Sequence, residues 1–467
     1  MKSVTDLTNV PEEKTEEETL ADKLNLPILK KSIIFAMTFG FFGVNMAFSL
    51  QSAMMARIFQ TLGANPNKLG WFFILPPLAG LIIQPLIGYY SDRTWTRYGR
   101  RMPYLLVAGP IGAITLVMLP NAGSFGFGYA SLAALLFGAI MTLFMDLTAN
   151  ACMQPYKMVI GDMVPEKQRD MAWSWQQIFS NLGGIIATLL PFLLTLWGVA
   201  NVAPKGEVPL TVKIAYYIAA AVLLISTIWT VRSVNEYNPK QHAYYHGIDE
   251  KRDRKNSLNL WQLLKKAPKQ FWQIALVEFF IWFAIMYLWT YTPGAIAHNV
   301  WGTSDPSSAG YQEAGNWYGV LTGVQFVASI LFGIVAAYAK PHQRKMLLRF
   351  GLIMGAIGFI SIFFIHSQWL LILSFVLIGI NNLTMNTQVF TLLTENIDGN
   401  NAGAYLGLFN CAICLPQIIA SLASFALFPL FGESMPNMLL FAGVMLFIAA
   451  ACVGFIDSKY KKPETNA

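Results

Sequence analysis

The sequence has little charge and lacks the motifs that mark common enzymes. Charged residues make up 12% of the 467 residues, and the five histidines are scattered rather than clustered. It contains no GxSxG, no HExxH and no P-loop GxxxxGK followed by Ser or Thr. The few cysteines (Cys152, Cys411, Cys414 and Cys452) all fall in apolar stretches, where we interpret them as packing residues. These absences predict a protein that is not an enzyme, has no metal cluster and does not use ATP.

Long apolar runs fill most of the chain instead. Hydrophobic residues make up 55% of it, and the mean hydropathy is +0.48. Runs of about 20 residues, the helical length that crosses a bilayer's hydrocarbon core, recur throughout. Because backbone groups in lipid must be satisfied within the segment, these runs predict helices. The predicted helices cover residues 31–53, 70–90, 103–121, 127–158, 172–197, 211–231, 271–295, 316–338, 346–366, 369–396, 403–429 and 436–456. We therefore expect an all-α, multi-pass protein of the cell membrane, or of the inner membrane in a bacterium.

Basic residues are concentrated in alternate loops. Arg93, Arg97, Arg100 and Arg101 follow the second predicted helix, whereas the loop after the third has no Lys or Arg. Every even-numbered loop is basic, and the odd-numbered ones carry only scattered charges such as Arg57. Because short cytoplasmic loops are enriched in Lys and Arg, both termini are expected in the cytoplasm. The net charge of +7 is then explained by topology, and nucleic acid is not an expected partner.

The chain divides into two similar parts. Six predicted helices precede a long polar connection and six follow it, as in transporters built from two repeated bundles. The polar N-terminus lacks the features of a cleavable signal peptide and is expected to be a cytoplasmic tail. The predicted organisation is an N-terminal tail at 1–30, a six-helix bundle at 31–231, a cytoplasmic linker at 232–270, a second six-helix bundle at 271–457 and a C-terminal tail at 458–467.

The stretch GYYSDRTWTRYGRR, from Gly88 to Arg101, has an order of residues that orientation alone does not require. With its spacing after the second helix, it resembles the signature loop of the major facilitator superfamily. Together with Pro103 and Tyr104, it is most similar to the plant-type sucrose–proton symporters and their bacterial relatives. The glycoside–pentoside–hexuronide symporters share much of this loop. The resemblance implies the major facilitator fold, twelve transmembrane helices in two six-helix bundles.

In that superfamily the loop braces the cytoplasmic side of the outward-open state. By resemblance, Asp92 would meet the start of a helix in the second bundle, where the helix dipole favours an anion. The arginines would pair with carboxylates such as Asp162. The predicted gating residues are Asp92, Arg93, Arg100, Arg101, Asp162 and Arg169. The alternative is that these charges only set the orientation.

The fourth predicted helix carries a polar stripe. Asp146, Asn150, Gln154 and Lys157 lie within an arc of about 80° on a helix of 3.6 residues per turn. An ionised side chain at membrane depth costs about 2.5–3.5 kcal/mol on insertion scales, so intramembrane acids usually face a cavity and have a function. Asp146 is therefore a predicted proton-coupling residue, with a structural acid bonded inside the bundle as the alternative. Glu278, in the seventh helix, fits a second titrating site and a structural acid near the interface equally well.

The symporter resemblance extends along this helix. Asp146, Asn150, Gln154, Pro155 and Lys157 occupy places that match the family's fourth helix. The resemblance implies a proton carrier at the Asp and a charge partner or substrate contact at the basic residue. Lys157 stands where the family usually has arginine, and lysine lacks the planar bidentate fork, so its role stays open. The second helix has no acid, unlike the first two helices of melibiose-type sodium symporters, which favours H⁺ over Na⁺ as the coupling ion.

A sugar site needs amides and carboxylates for hydroxyl groups, with aromatic faces against the ring. Polar residues of this kind concentrate in the first, fourth, fifth, seventh and tenth helices, as a central cavity requires. The predicted substrate-binding residues are Asn45, Gln51, Asn150, Gln154, Lys157, Gln177, Asn181, Trp282, Asn382 and Asn386. Hydrogen bonding between helices is the alternative for each amide, and anchoring at the membrane interface is the alternative for the tryptophan.

These patterns predict a secondary transporter that imports a disaccharide of the α-glucoside class, sucrose or maltose, with a proton and without a cofactor. We expect a monomer whose partners are the sugar and membrane lipid. Three alternatives remain. An uncoupled sugar facilitator would tolerate the loss of Asp146, and a sodium-coupled glycoside symporter would depend on Na⁺. A drug or metabolite exporter would ignore disaccharides.

Overall fold

Long helices make up nearly all of the structure. The computed structural model describes residues 26–91, 94–246, 264–336, 341–394 and 402–457. Within these ranges the only β pairing is an isolated bridge between Thr96 and Gly99. The long helices are α1 (Lys31–Thr61), α2 (Leu75–Ser91), α3 (Met102–Met118), α4 (Leu132–Met163), α5 (Glu166–Leu196), α6 (Leu210–Ser233), α7 (Lys269–Trp301), α8 (Ala309–Ala336), α9 (Arg344–Phe364), α10 (Leu371–Thr394), α11 (Ala402–Leu430) and α12 (Met435–Cys452). The predicted all-α fold is confirmed.

Most of these helices have the composition of membrane spans. Within the described ranges, 11 helical segments are long and apolar enough to cross a membrane. The remaining long helix, α10, carries Asn381, Asn382 and Asn386 in its middle, which lower its hydropathy. A multi-pass membrane protein follows from this set of helices.

Several helices extend further than the sequence predicts. Helix α1 continues to Thr61 instead of ending at residue 53, so Arg57 lies inside a helix and not in a loop. Helix α7 continues to Trp301, where Gly302 ends it with a left-handed φ of 63°. Helix α8 begins at Ala309, seven residues before the predicted start. Polar residues near helix ends shortened the predicted segments because hydropathy alone cannot distinguish a buried polar turn from a loop.

The helix ends form two faces. The first, here called the basic face, is formed by residues 94–101, 164–165, 234–246, 264–268, 341–343 and 456–457. The other, here called the opposite face, is formed by residues 62–69, 119–131, 197–209, 302–308, 365–370 and 431–434. Successive helices run in opposite directions between these faces, which is the arrangement that alternating basic loops require.

Residues before and after 247–263 are called the first and second halves. In the first half, α1 packs against both α5 and α6, and in the second half α7 packs against α11 and α12. Small residues allow these close approaches: a Cβ at Gly183 of α5 would lie 2.4 Å from the backbone oxygen of Phe42 in α1. Contact between helix backbones is the packing that stabilises helices in lipid, where the hydrophobic effect does not drive association.

The halves meet at the opposite face. Asn67 Nδ2 donates a hydrogen bond to Glu433 Oε1 at 3.0 Å. Helix α8 approaches α5 so closely that a Cβ at Gly319 would lie 2.2 Å from the backbone oxygen of Thr188. The first half is therefore closed against the second half at this face.

Candidate functional site

Asp146 is completely buried, with 0% of its surface exposed. Gln51 of α1 donates Nε2 to Asp146 Oδ2 at 2.7 Å. The other carboxyl oxygen, Oδ1, has no hydrogen-bond partner among the described residues, and neither does the buried hydroxyl of Tyr216 on α6. Burying an ionised carboxylate with a single hydrogen bond is costly. The charge on Asp146 therefore depends on how the surrounding helices are arranged.

Three amides continue from Asp146 and form what we call the amide chain. Asn150 Nδ2 donates to the backbone oxygen of Asp146 at 2.8 Å. Gln84 of α2 donates Nε2 to Asn150 Oδ1 at 2.6 Å, and Gln154 donates Nε2 to Gln84 Oε1 at 2.7 Å. Because Asn150 must use its NH₂ group on the carbonyl, the orientation of each following amide is fixed. The chain ends at Gln154 Oε1, an acceptor that suits a ligand hydroxyl.

Gln84 was not among the predicted site residues. Helix α2 has no acid, and one uncharged amide in an apolar run gives a weak signal. Gly80, one turn earlier on α2, locates the chain: a Cβ there would lie 3.7 Å from Asn150 Oδ1 and 3.5 Å from Cys414 Sγ of α11. The amide chain therefore lies where the first half meets the second.

Three other predicted substrate residues make no hydrogen bond to the group around Asp146. Asn45 Nδ2 donates a short hydrogen bond to the backbone oxygen of Ser180 in α5, which is the interhelical role named as the alternative. Asn386 is exposed on α10, and its Nδ2 donates to the backbone oxygen of Asn382 at 2.8 Å. Lys157 is half-buried, and the described residues offer it no hydrogen bond. These residues are not bonded to the group around Asp146.

Gln177 and Asn181 lie on the surface of α5 that is turned toward the second half. They are about two turns and one turn before Gly184, on the same side of the helix. A Cβ at Gly184 would lie 2.9 Å from the ring of Phe326 in α8. Gln177 is exposed and Asn181 half-buried, so both fit a surface that borders the space between the halves.

Glu278 is a buried acid of the second half, with 2% of its surface exposed. Trp282 lies one turn further along α7, and its ring centroid is 6.1 Å from that of Trp289. The hydrogen bonds described for Asp146 all lie within the first half. The two buried acids are therefore separate groups.

Arg100 and Arg101 both contact Asp162 at the end of α4. Arg100 Nη2 lies 2.7 Å from Asp162 Oδ1, and Arg101 Nε lies 3.0 Å from Asp162 Oδ2.

Glu236 accepts backbone N–H bonds from Arg100, Arg101 and Met102 at 2.8–3.1 Å. Burial raises the pKa of the Glu236 carboxyl, and these N–H donors oppose that shift. Glu236 is not predicted from the sequence because it lies 135 residues from Arg101, in a segment with the composition of a linker.

The described part of this cluster lies within the first half. The pairing expected between Arg100, Arg101 and Asp162 is present, and it fixes residues 94–101, here called the basic turn, to α4. The bonds to Glu236 fix the same turn to the end of α6. Asp92 and Arg93 lie outside the described residues, as does the side chain of Arg169. The gating role of all six residues stays a prediction.

Comparison with known proteins identifies the family. Residues 37–421 match the sequence model of the Major Facilitator Superfamily. The chain belongs to the major facilitator superfamily. It is therefore a membrane transporter and not an enzyme, as the sequence predicts.

Curated relatives of this facilitator are similar at low identity. The sucrose transport protein SUC4 of Arabidopsis thaliana is 23% identical over 430 residues, which cover 84% of this chain and 83% of that protein. The general alpha-glucoside permease of Schizosaccharomyces pombe is 27% identical over 177 residues, 37% of this chain and 32% of that protein. Among solved structures, the nucleoside transporter NupG superposes with a TM-score of 0.65 at 13% identity, covering 92% of this chain and 100% of the other. This structural similarity shows that the chain has the same overall fold as that transporter.

The site of this facilitator suits a neutral ligand with several hydroxyl groups. Amides of α2 and α4 form a chain beside the Asp146 carboxyl group. Within the described ranges, no group of three His, Cys, Asp or Glu side chains could hold a metal ion. Amide oxygens and NH₂ groups can accept from and donate to the same hydroxyl-rich ligand. Buried groups of this kind discriminate strongly against ligands that leave them unpaired.

Proposed function

We propose that this transporter imports a disaccharide of the α-glucoside class, sucrose or maltose, together with a proton. The observation that carries the proposal is the completely buried Asp146, which heads an amide chain at the junction of the halves. Two similar proteins support the substrate class by name, one a sucrose transport protein and the other an alpha-glucoside permease.

Coupling follows from the cost of burying charge at Asp146. In the neutral form, the carboxyl group can be enclosed beside Gln51 without an unpaired charge. In the ionised form, it requires water or a cation. A protonated Asp146 therefore permits the buried arrangement, and contact with water on the cytoplasmic side releases the proton.

The sugar binds between two bodies, residues 31–231 and 271–457, which rock about the site. Its hydroxyl groups donate to Gln154 Oε1 and to other acceptors of the first half, while Gln177 and Asn181 border the same space. The basic face is the cytoplasmic side, where the predicted gating residues hold the loop in place. Glu278 is a candidate second proton site in the other half.

Uptake into proteoliposomes tests the proposal directly. Labelled sucrose and maltose are offered with an inward-acid pH gradient, with and without Na⁺. Uphill accumulation that follows the pH gradient and is indifferent to Na⁺ is the expected result. Dependence on Na⁺ would instead indicate sodium symport, and equilibration without accumulation would indicate an uncoupled facilitator.

Asp146→Asn separates coupling from binding. Asparagine keeps the shape and the bond to Gln51 but carries no transferable proton, so gradient-driven accumulation should fall to background while sugar counterflow continues. Glu278→Gln is the matched variant because it neutralises the other buried acid. Normal uphill accumulation by Asp146→Asn would contradict the proposal, and loss of accumulation in Glu278→Gln alone would move the coupling site to α7.

A further inference from the structure

Arg57 of α1 is completely buried, with 0% of its surface exposed, and connects the two halves. Its Nε donates to Gln312 Oε1 at 2.7 Å, and its Nη1 donates to Asn316 Oδ1 at 2.7 Å. Both acceptors lie on α8 of the second half. Its Nη2 donates to Asn201 Oδ1 of the first half at 2.8 Å. One guanidinium group thus holds acceptors of both halves in place.

The two α8 amides are themselves bonded back to the first half. Gln312 Nε2 donates to Thr61 Oγ1 at 3.0 Å, and Asn316 Nδ2 donates to Thr195 Oγ1 at 2.7 Å. Each amide therefore accepts from Arg57 with its oxygen and donates to a hydroxyl of α1 or α5 with its nitrogen. This group lies beside the opposite face, where the halves are closed.

The charge of Arg57 is not neutralised by a carboxylate within the described ranges, where all three side-chain oxygens that accept from it belong to neutral amides. Burying a cation without a counter-ion is unfavourable, although hydrogen bonds offset part of the penalty. When water reaches the opposite face, hydration can replace the three amide bonds. The three directed hydrogen bonds therefore favour the closed arrangement, whereas hydration of the guanidinium group favours the open one. Such a balance is expected for a contact that must break in every transport cycle.

We propose that Arg57 is a positioning residue that keeps the opposite face closed by joining α1 to α8. The inference rests on the proposed alternating-access function. The bonds to Gln312 and Asn316 break whenever the site opens to that side, and they re-form before it opens to the basic face. The separation of the halves at the opposite face therefore depends on the geometry of these bonds, and not only on the presence of a positive charge.

Pulsed electron paramagnetic resonance measures this separation without any substrate. Spin labels are attached to Phe127→Cys in the first half and Ser304→Cys in the second, in a background with the four native cysteines replaced. Both positions are exposed on the opposite face. In the reference protein, the short-distance population should dominate.

Two substitutions should change this distribution in opposite directions. Arg57→Lys keeps the charge but cannot make the three directed bonds, so the ratio of long to short distances should rise about tenfold. Asn316→Asp loses the Nδ2 bond to Thr195 Oγ1 but places a carboxylate against the guanidinium group. Because that charge-assisted bond is stronger than the neutral bond that is lost, the long-distance population should fall. The opposite signs distinguish control of closure from general damage, which would move both variants the same way.

Arg349→Lys is the matched control because Arg349 Nε donates to the backbone oxygen of Ala450 within the second half. It should leave the distances unchanged. A reference-like distribution in Arg57→Lys, or the same shift in Arg349→Lys, would overturn the assignment of Arg57. Because no sugar or pH gradient is used, failure of sugar uptake would refute the proposed substrate and coupling without affecting this result.

Discussion

In the proposed site, single side chains determine which ligand is recognised, and the amide chain illustrates how. An isolated amide can rotate to exchange its donor and acceptor, but Asn150, Gln84 and Gln154 are oriented in series from one backbone carbonyl. The acceptor at the end of the series is therefore held in place before a ligand arrives. Such preorganisation strengthens binding because less ordering is needed in the complex.

Gln84→Leu should weaken sugar binding. The substitution leaves Asn150 Oδ1 and Gln154 Nε2 without their bond partners, and each unpaired buried group costs about 1–3 kcal/mol. In the free protein, Gln154 can turn to another partner and recover part of this cost, but it then no longer offers its acceptor to the ligand. We therefore expect sugar affinity to fall about tenfold. Equilibrium binding of labelled sugar to the purified protein measures it.

Thr148→Val is the control for Gln84→Leu. Among the residues that the structure describes, Thr148 Oγ1 bonds only to backbone oxygens of its own helix, at 2.8 Å and 2.9 Å, so its loss should leave affinity unchanged. Equal affinity in Gln84→Leu and the unsubstituted protein would show that the amide chain does not position the ligand.

The sequence indicates the buried pair Asp146 and Gln51 better than it indicates Gln84 or the position of Arg57. Asp146 and Gln51 stand out in apolar runs, and the structure joins them. Arg57 is predicted to lie in a loop because the apolar run ends at residue 53, whereas in the structure acceptors from α8 enclose it inside α1. Those acceptors are about 255 residues away in the chain, so no local pattern could indicate them.

At the scale of helices, packing depends on a few positions without side chains. Helices α1 and α5 approach at Gly183, where the nearest atom to an added Cβ would be a backbone oxygen. A backbone atom cannot move aside as a flexible side chain can. The position therefore sets the distance between the two helices.

Gly183→Ala should lower the thermal stability of the protein in detergent. The added methyl group would lie 2.4 Å from Phe42 O, so α5 must shift, and overpacking of this kind costs about 1–3 kcal/mol. Gly161→Ala is the control, since a Cβ there has nothing within 4 Å and alanine favours a helix over glycine. A melting temperature for Gly183→Ala at or above that of Gly161→Ala would contradict this account of the α1–α5 contact.

The number and order of the helices could be predicted from the sequence, but their ends could not. Apolar runs of spanning length mark the membrane segments because lipid imposes that length. Beyond the apolar run, a helix such as α1 continues because partners in other helices satisfy Arg57 and Thr61. These contacts arise from tertiary packing, which hydropathy does not record.

At the scale of the whole molecule, the distribution of basic residues predicts orientation. Arg97 is exposed in the basic turn and Phe127 is exposed on the opposite face, so each position can be replaced by a cysteine that reports its side of the membrane. In intact cells, a membrane-impermeant thiol reagent should label Phe127→Cys and leave Arg97→Cys unlabelled, because basic loops stay in the cytoplasm. After permeabilisation, both should react. Labelling of Arg97→Cys in intact cells would reverse the assigned direction of transport.

The charge of Arg57, which has no carboxylate partner among the described residues, also has an electrical consequence. A guanidinium group that is enclosed in one state and hydrated in the other changes its position within the transmembrane voltage. Moving one elementary charge through the full field corresponds to about 2.3 kcal/mol per 100 mV, and a short movement corresponds to the matching fraction. The equilibrium between the state that is closed at the opposite face and the state that is open there would then respond to membrane potential, even when no substrate is bound.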